Sequence, residues 1–264
     1  MMRQWVWADS DQQQEAALAQ VRGFEFEQFV ALLGATPVRV LELGAGHGWL
    51  ARRFSLSGHT VVALDIPASE WRQHWSPTTI AYDGVNLPLP SLSVDVIVSS
   101  HVLMQVARLS ELHREMRRVL KPGGYCLHSL PTPAWRLWTT VISPVVGVRK
   151  AIFCPAPKLG KRAGHIPRFL HPAIARGLVG YYAVKSGVRL DGSRRSFLGE
   201  IIAFSEPRWR QLFSQDGFSV DMSWPMGIFY TGHSLLGNEL PVDFRRQLAR
   251  MIGSSSRLYK VCPI

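Results

Sequence analysis

Short apolar runs alternate with amphipathic stretches along the first half of the chain, a pattern that predicts strands joined by helices. Val38 to Leu43 reads as an apolar strand running into a glycine turn, Gly44, Gly46 and Gly48, and a helix follows with Leu50, Ala51 and Phe54 on one side. Thr60 to Asp65 is a second strand ending in an acid, and Ala81-Tyr82-Asp83-Gly84 places another acid after a short third strand. Ser93 to Leu103 covers a fourth strand and the turn beyond it. A helix from Leu109 to Leu120 stops at Lys121-Pro122-Gly123-Gly124, and a fifth strand continues to His128. Towards the C-terminus, a helix from Glu206 ends at Gly217, Phe218 to Trp224 reads as a sixth strand, and Arg257 to Cys262 as the last.

The first glycine turn carries the most information. Glycine lets backbone approach a bound ligand closely, because it has no Cβ. A dinucleotide fingerprint needs G-x-G-x-x-G, and position 49 is Trp. The spacing present is Glu42-x-Gly44-x-Gly46-x-Gly48, and its leading acid suits a ligand bearing positive charge. Each station also has a plainer reading. The glycines fit the turn of any doubly wound protein, and Asp65 and Asp83 fit helix N-caps.

Taken in order, Glu42-Leu-Gly-Ala-Gly-His-Gly48, Thr60-Val-Val-Ala-Leu-Asp65, Ala81-Tyr-Asp-Gly84 and Lys121-Pro-Gly-Gly124 resemble class I S-adenosylmethionine-dependent methyltransferases. The subgroup they look like is the "type 11" kind, similar to ubiquinone-biosynthesis methyltransferases, and the similarity covers roughly residues 38–130. It implies an α/β, doubly wound, Rossmann-like sheet of seven strands, six parallel and the last antiparallel, with a basic insertion after strand five. It implies S-adenosylmethionine as cofactor, held by Glu42, Gly44, Gly46, Gly48, Asp65, Ile66, Asp83, Gly84 and Ser99. Within that set Asp65 would reach the ribose hydroxyls, Ile66 would pack on the adenine and Asp83 would accept from the adenine amino group.

The chain of 264 residues divides into an N-terminal helical segment (1–35), a cofactor-binding half (36–130), an insertion (131–198) and a C-terminal completion of the sheet (199–264). The N-terminal segment has a loose apolar set, Ala16, Leu18, Val21, Phe24 and Phe29, which suits a helix over the cofactor cleft or simple packing. A hydrophobic content of 47% is enough for a sizeable core. Cys126, Cys154 and Cys262 form no CxxC pair, so no zinc site or disulfide framework is expected and a reducing compartment is. There is no apolar run of signal-peptide length at the start and no stretch of about 18 apolar residues, so a cytoplasmic chain is expected, peripheral at most to the inner face of the membrane.

Charge changes the picture in the insertion. Between Pro131 and Arg195 stand Arg136, Arg149, Lys150, Lys158, Lys161, Arg162, Arg168, Arg176, Lys185, Arg189, Arg194 and Arg195, against one acid, Asp191. Twelve minus one is +11, the net charge of the whole chain, so the remainder balances to zero. Such a surface implies an anionic neighbour: an acidic substrate, an acidic membrane face or nucleic acid. Trp135, Trp138, Val141, Ile142 and Val145 recur at helical spacing with cations nearby, which suits a lid helix or an interfacial one. Nucleic acid is the minor reading. Ser99-Ser-His-Val102 stands where base-amine methylation would need Asn/Asp-Pro-Pro-Tyr/Phe, and no Pro-Cys nucleophile is present.

The remaining candidates concern proton handling. An alcohol or phenol acceptor profits from a general base. His101, directly after strand four, is the first candidate, with helix capping or pocket lining as its plainer roles. His128 at the end of strand five is expected to face the same region, whereas His165, His171 and His233 read as ordinary surface or packing residues. Met104-Gln105 occupies the place where the subgroup often has Glu-His, which removes one base. No metal cluster is evident in the sequence. These readings lead to O-methylation of a small-molecule acceptor, a sugar or lipid-linked glycan. The alternatives are C-methylation of a quinone-type precursor and a non-catalytic fold that binds membrane or nucleic acid through its insertion.

Overall fold

The computed structural model describes residues 11–69, 76, 78–142, 197–230 and 241–264, without the side chains of 11–18. His165, His171, His233, Val145 and every basic residue of the insertion except Arg136 lie outside the described residues.

Seven strands form one sheet: β1 (Arg39–Leu43), β2 (Thr60–Asp65), β3 (Thr79–Ala81), β4 (Val94–Ser100), β5 (Leu120–Pro131), β6 (Phe218–Pro225) and β7 (Ser256–Pro263). Their order is β3-β2-β1-β4-β5-β7-β6. β1 sits in the middle, parallel to both neighbours, with Leu41 opposite Val62 of β2 and Ile97 of β4. β7 runs antiparallel to both β5 and β6, so six strands share one direction and the last opposes them, as the sequence predicts.

Apolar residues on both faces of the central strands account for two core layers. On one face α1 (Asp11–Leu33) and α2 (Trp49–Leu56) cover Val40, Val96, Val98 and Leu127 with Phe29, Leu50 and Phe54. The fully buried Phe54 ring meets Phe26 and Phe29, and burying such a side chain stabilises by about 1.5–3 kcal/mol. The other face is covered by α3 (Leu109–Val119), whose buried Leu112, Met116 and Val119 repeat at helical spacing. Trp209 and Phe213 of the helix Glu206–Gln215 complete that layer.

A helix over residues 133–142, α4, opens the insertion, and α5 (Phe197–Ala203) closes it; the helix Glu206–Gln215 is α6 and Val242–Ile252 is α7. The Trp135 ring lies against Phe204, while Trp138 packs on Phe229 and donates its indole N–H to the Ile252 carbonyl at 3.0 Å. Both indoles therefore pack on the domain, as a lid helix would, whereas Val141 of the same apolar stripe is exposed.

Arg136 and Glu200, both nearly buried, form an ion pair between α4 and α5. Removing one member of a buried pair strands the other charge. Arg136→Ala should therefore cost about 3–5 kcal/mol, lowering the melting temperature by roughly 10 °C. Thermal unfolding checks this, and the double change Arg136→Met with Glu200→Leu should recover most of the loss.

Candidate functional site

A cleft of about 890 Å³ opens at the C-terminal ends of β1, β2 and β4. This is where an open α/β sheet binds ligands, because the loops leave the central strands in opposite directions there. The turn after β1 forms its floor. The Gly44 and Ala45 N–H groups donate to the Leu64 carbonyl at 2.8 and 3.0 Å, which fastens the turn to β2. Gly46 donates to Asp65 Oδ2 at 2.8 Å, and Ile66 N–H to Asp65 Oδ1 at 2.7 Å. Gly44 and Gly46 have φ of 68° and 53°, a conformation that side chains other than glycine resist. A Cβ on Gly44 would come within 2.2 Å of Val102 Cγ2, so the backbone itself forms the cradle.

Of the residues proposed for the cofactor, Gly44, Gly46, Asp65, Ile66, Asp83 and Gly84 line this cleft. Asp83 also caps its own turn, accepting from the Val85 and Asn86 N–H groups and the Asn86 amide. Those bonds hold its carboxyl below the usual range. Glu42 and Gly48 are not in the lining. Gly48 starts α2 at a φ of 73°. Glu42 is buried on β1 with Oε2 lacking any hydrogen-bond partner. Burial pushes its pKa up to about 8, against the opposing charge of Arg22.

Ser99 and His128 require correction. Successive side chains of a strand point to opposite faces, and Ser99 pairs in register with His128 on the face away from α1. Ser99 Oγ and His128 Nδ1 lie 2.8 Å apart, both fully buried, with the imidazole stacked on Phe213 of α6. Neither side chain lines the cleft: both face the buried layer under α6, so His128 is not in the region of His101 where the sequence reading put it. Burial lowers the His128 pKa to about 3, helped by the neighbouring His113, whose own value burial also lowers. An unfolded imidazole titrates near its ordinary value, so below that pH the unfolded chain binds the extra proton and stability falls with falling pH. Between pH 6 and 5 His128 should contribute a loss of about 1 kcal/mol, which His128→Gln removes. Urea titrations of both proteins at the two pH values measure it.

His101 does reach the cleft. Its φ of 59° is one of two positive values at non-glycine positions among the described residues, the other being Leu92. The conformation is held by its N–H donating to the Ser129 carbonyl at 2.8 Å and by Gln105 Nε2 donating to its carbonyl at 3.1 Å. Strain of this kind costs about 1–3 kcal/mol and persists only where surroundings impose it. His101 Nε2 lies 2.6 Å from the Tyr230 hydroxyl and 3.5 Å from Glu25 Oε1. Glu25, buried on α1, accepts from Ser100 Oγ at 3.0 Å and Ser129 Oγ at 2.9 Å. Burial works to raise its carboxyl pKa, yet the His101 ring, Arg22 and the Ser129 hydroxyl outweigh it and hold the group low. Burial and the Glu25 charge push the Tyr230 phenol well up, so it stays protonated.

Sequence reading misses Glu25, Tyr230 and Arg22, the last also in the lining. A signal for Glu25 exists. Val21, Phe29 and Leu33 are buried at four- or eight-residue steps along α1, and Glu25 falls in the same row. An acid within an apolar row is the informative exception. Tyr230 gives no comparable signal.

The glycine cradle, the acid at the tip of β2 and the buried Glu42 carboxyl beneath the turn, one oxygen of which lacks a partner, fit a cofactor that carries hydroxyls and positive charge. Fold and site together define the class I S-adenosylmethionine-dependent methyltransferase architecture, with S-adenosylmethionine as its cofactor. Residues 41–128 match a family described as a methyltransferase domain. Over 100 residues the chain is 36% identical to malonyl-[acyl-carrier protein] O-methyltransferase of Erwinia pyrifoliae, covering 36% of this chain and 38% of that protein. Over 120 residues it is 32% identical to demethylmenaquinone methyltransferase of Streptomyces griseus, covering 42% and 51%. The chain thus spans about half or less of the length of these relatives. A crystal structure of an S-adenosylmethionine-dependent methyltransferase from Aquifex aeolicus superposes with a TM-score of 0.50 at 12% identity, over 93% of each chain, which shows the shared fold.

Proposed function

We propose that this protein transfers a methyl group from S-adenosylmethionine to an oxygen of a small-molecule acceptor, a sugar or a lipid-linked glycan. Bound in the cleft, the cofactor supplies an electrophilic methyl on a sulfonium. The protein's part is to hold cofactor and acceptor in line and to take up the acceptor proton. Gly44, Gly46, Asp65, Ile66 and Gly84 would hold the cofactor, with Glu42 beneath the turn. The observation that carries the oxygen assignment is His101, an imidazole held in the cleft wall by a strained backbone. Calorimetry with S-adenosylmethionine, S-adenosylhomocysteine and NAD tests the cofactor: the first two should bind and NAD should not. Incubating cell extract with the protein and methyl-labelled cofactor, then searching by mass spectrometry for products one methyl heavier, identifies the acceptor. A methoxy carbon signal supports oxygen transfer. A methyl bonded to ring carbon supports the second reading, C-methylation of a quinone precursor, which the relationship to a demethylmenaquinone methyltransferase favours.

The insertion, holding the chain's whole net charge, is proposed to face an anion, at an acidic membrane surface or on the acceptor. Each Lys or Arg near an anionic bilayer contributes about 1 kcal/mol. Such contacts are screened beyond a Debye length of about 8 Å at physiological salt. Co-sedimentation with anionic but not neutral liposomes, weakened by salt and lost when Lys158, Lys161 and Arg162 become Glu, is the expected result.

A further inference from the structure

We propose that Glu25, acting through the Nε2 edge of His101, fixes the imidazole with its Nδ1 lone pair available to the cleft, so that the site is built for an acceptor whose oxygen still carries its proton. This deepens the methyl-transfer reading above and rests on it.

The argument starts from which ring nitrogen is engaged. Nε2 faces the Tyr230 oxygen at 2.6 Å and Glu25 Oε1 at 3.5 Å. Nδ1 has no hydrogen-bond partner among the described residues, and the His101 side chain is 24% exposed in the cleft wall. An ionised carboxylate can only accept. Glu25 is fastened as an acceptor by two serine hydroxyls. An Nε2 lone pair turned towards that oxygen would be repelled, whereas an Nε2–H is attracted and is also accepted by the Tyr230 oxygen. The neutral ring therefore carries its proton on Nε2 and its lone pair on Nδ1.

The other charged groups lining the cleft are Arg22 of α1, Asp65 at the tip of β2, Asp83 after β3 and Arg108 after β4. Glu25 is the acid within ion-pair distance of the ring. When the acceptor's O–H bond breaks, its proton passes to Nδ1 and its electron pair bonds the methyl carbon. The pair of the broken carbon–sulfur bond stays on sulfur, which becomes a neutral thioether, and the ring proton then leaves to solvent. A carboxylate acceptor, already ionised at neutral pH, would need none of this, so the arrangement selects alcohols and phenols. Glu25 is a positioning residue, since it touches the ring and not the acceptor. The logic matches that of the acid in a hydrolase triad.

The test reads the proton directly. Two-bond proton–nitrogen spectra of protein labelled with nitrogen-15 histidine, assigned with His101→Asn, report which nitrogen is protonated. The wild type should show the Nε2–H form. Glu25→Gln should move at least half of the population to Nδ1–H, and Glu25→Asp should restore the wild-type spectrum. Tyr230→Phe should leave the Nε2–H form in place, which keeps the proposal testable if Glu25→Gln does not fold. A wild-type ring already protonated on Nδ1, no change in Glu25→Gln, or a flip in Tyr230→Phe would each overturn it. Loss of S-adenosylmethionine binding by the wild type would instead overturn the methyltransferase reading, leaving the tautomer result standing.

Discussion

Gly46→Val is expected to abolish measurable binding of S-adenosylmethionine, weakening it at least about 100-fold, or roughly 2.7 kcal/mol. Two effects combine. Gly46 has a φ of 53°, and a β-branched residue there is a genuine backbone outlier. Its N–H also donates to Asp65 Oδ2, so any relaxation of the turn moves the acid at the tip of β2 as well. The added isopropyl group would occupy the cleft that Gly46 lines. Calorimetry measures the loss, and a melting curve separates it from unfolding, because the turn lies at the mouth of the fold and not in either core layer. Normal affinity in the folded variant would remove the cofactor from this cleft.

His101→Ala is the second large effect. General bases contribute about 10²–10⁴-fold, so turnover of the identified acceptor should fall by about 100-fold or more. Affinity for S-adenosylmethionine should stay within about threefold, the signature of an interaction made only in the transition state. A structural complication arises at this position, since alanine at a φ of 59° relieves no strain. His101→Asn, which tolerates the left-handed region better, is the companion variant and should lose as much activity. Turnover preserved in both would return His101 to lining the pocket.

The two halves of this site differ in how far the sequence discloses them. The cofactor side is local: strand, glycine turn and acidic strand tip lie within residues 39–66, and spacing alone makes them visible. Strand pairing follows from the same regularity, since buried parallel strands leave runs such as Val94–Val98. The proton-handling side is not local. Glu25, His101 and Tyr230 are brought together where α1 and the segment after β6 pack on the same face of the sheet, and separations of 76 to 205 positions leave no pattern to read. Ser99 shows a further limit. The end of a strand can be found from sequence, but the choice between neighbouring side chains depends on which face is covered. Here Ser100 faces α1 and Glu25, and Ser99 faces α6. His128 is misread for the same reason.

The helix α1 has a consequence for how this protein could diversify. The segment matched to the methyltransferase family begins at residue 41, so Arg22 and Glu25 lie before it and Tyr230 far beyond it. The part proposed to grip the cofactor and the parts proposed to address the acceptor are thus different stretches of the chain, meeting around His101. On the proposed reading, substitutions in the outer stretches would alter the acceptor while the inner module stays the same. Similarity confined to the inner module therefore predicts the donor and leaves the choice of acceptor to the two flanks.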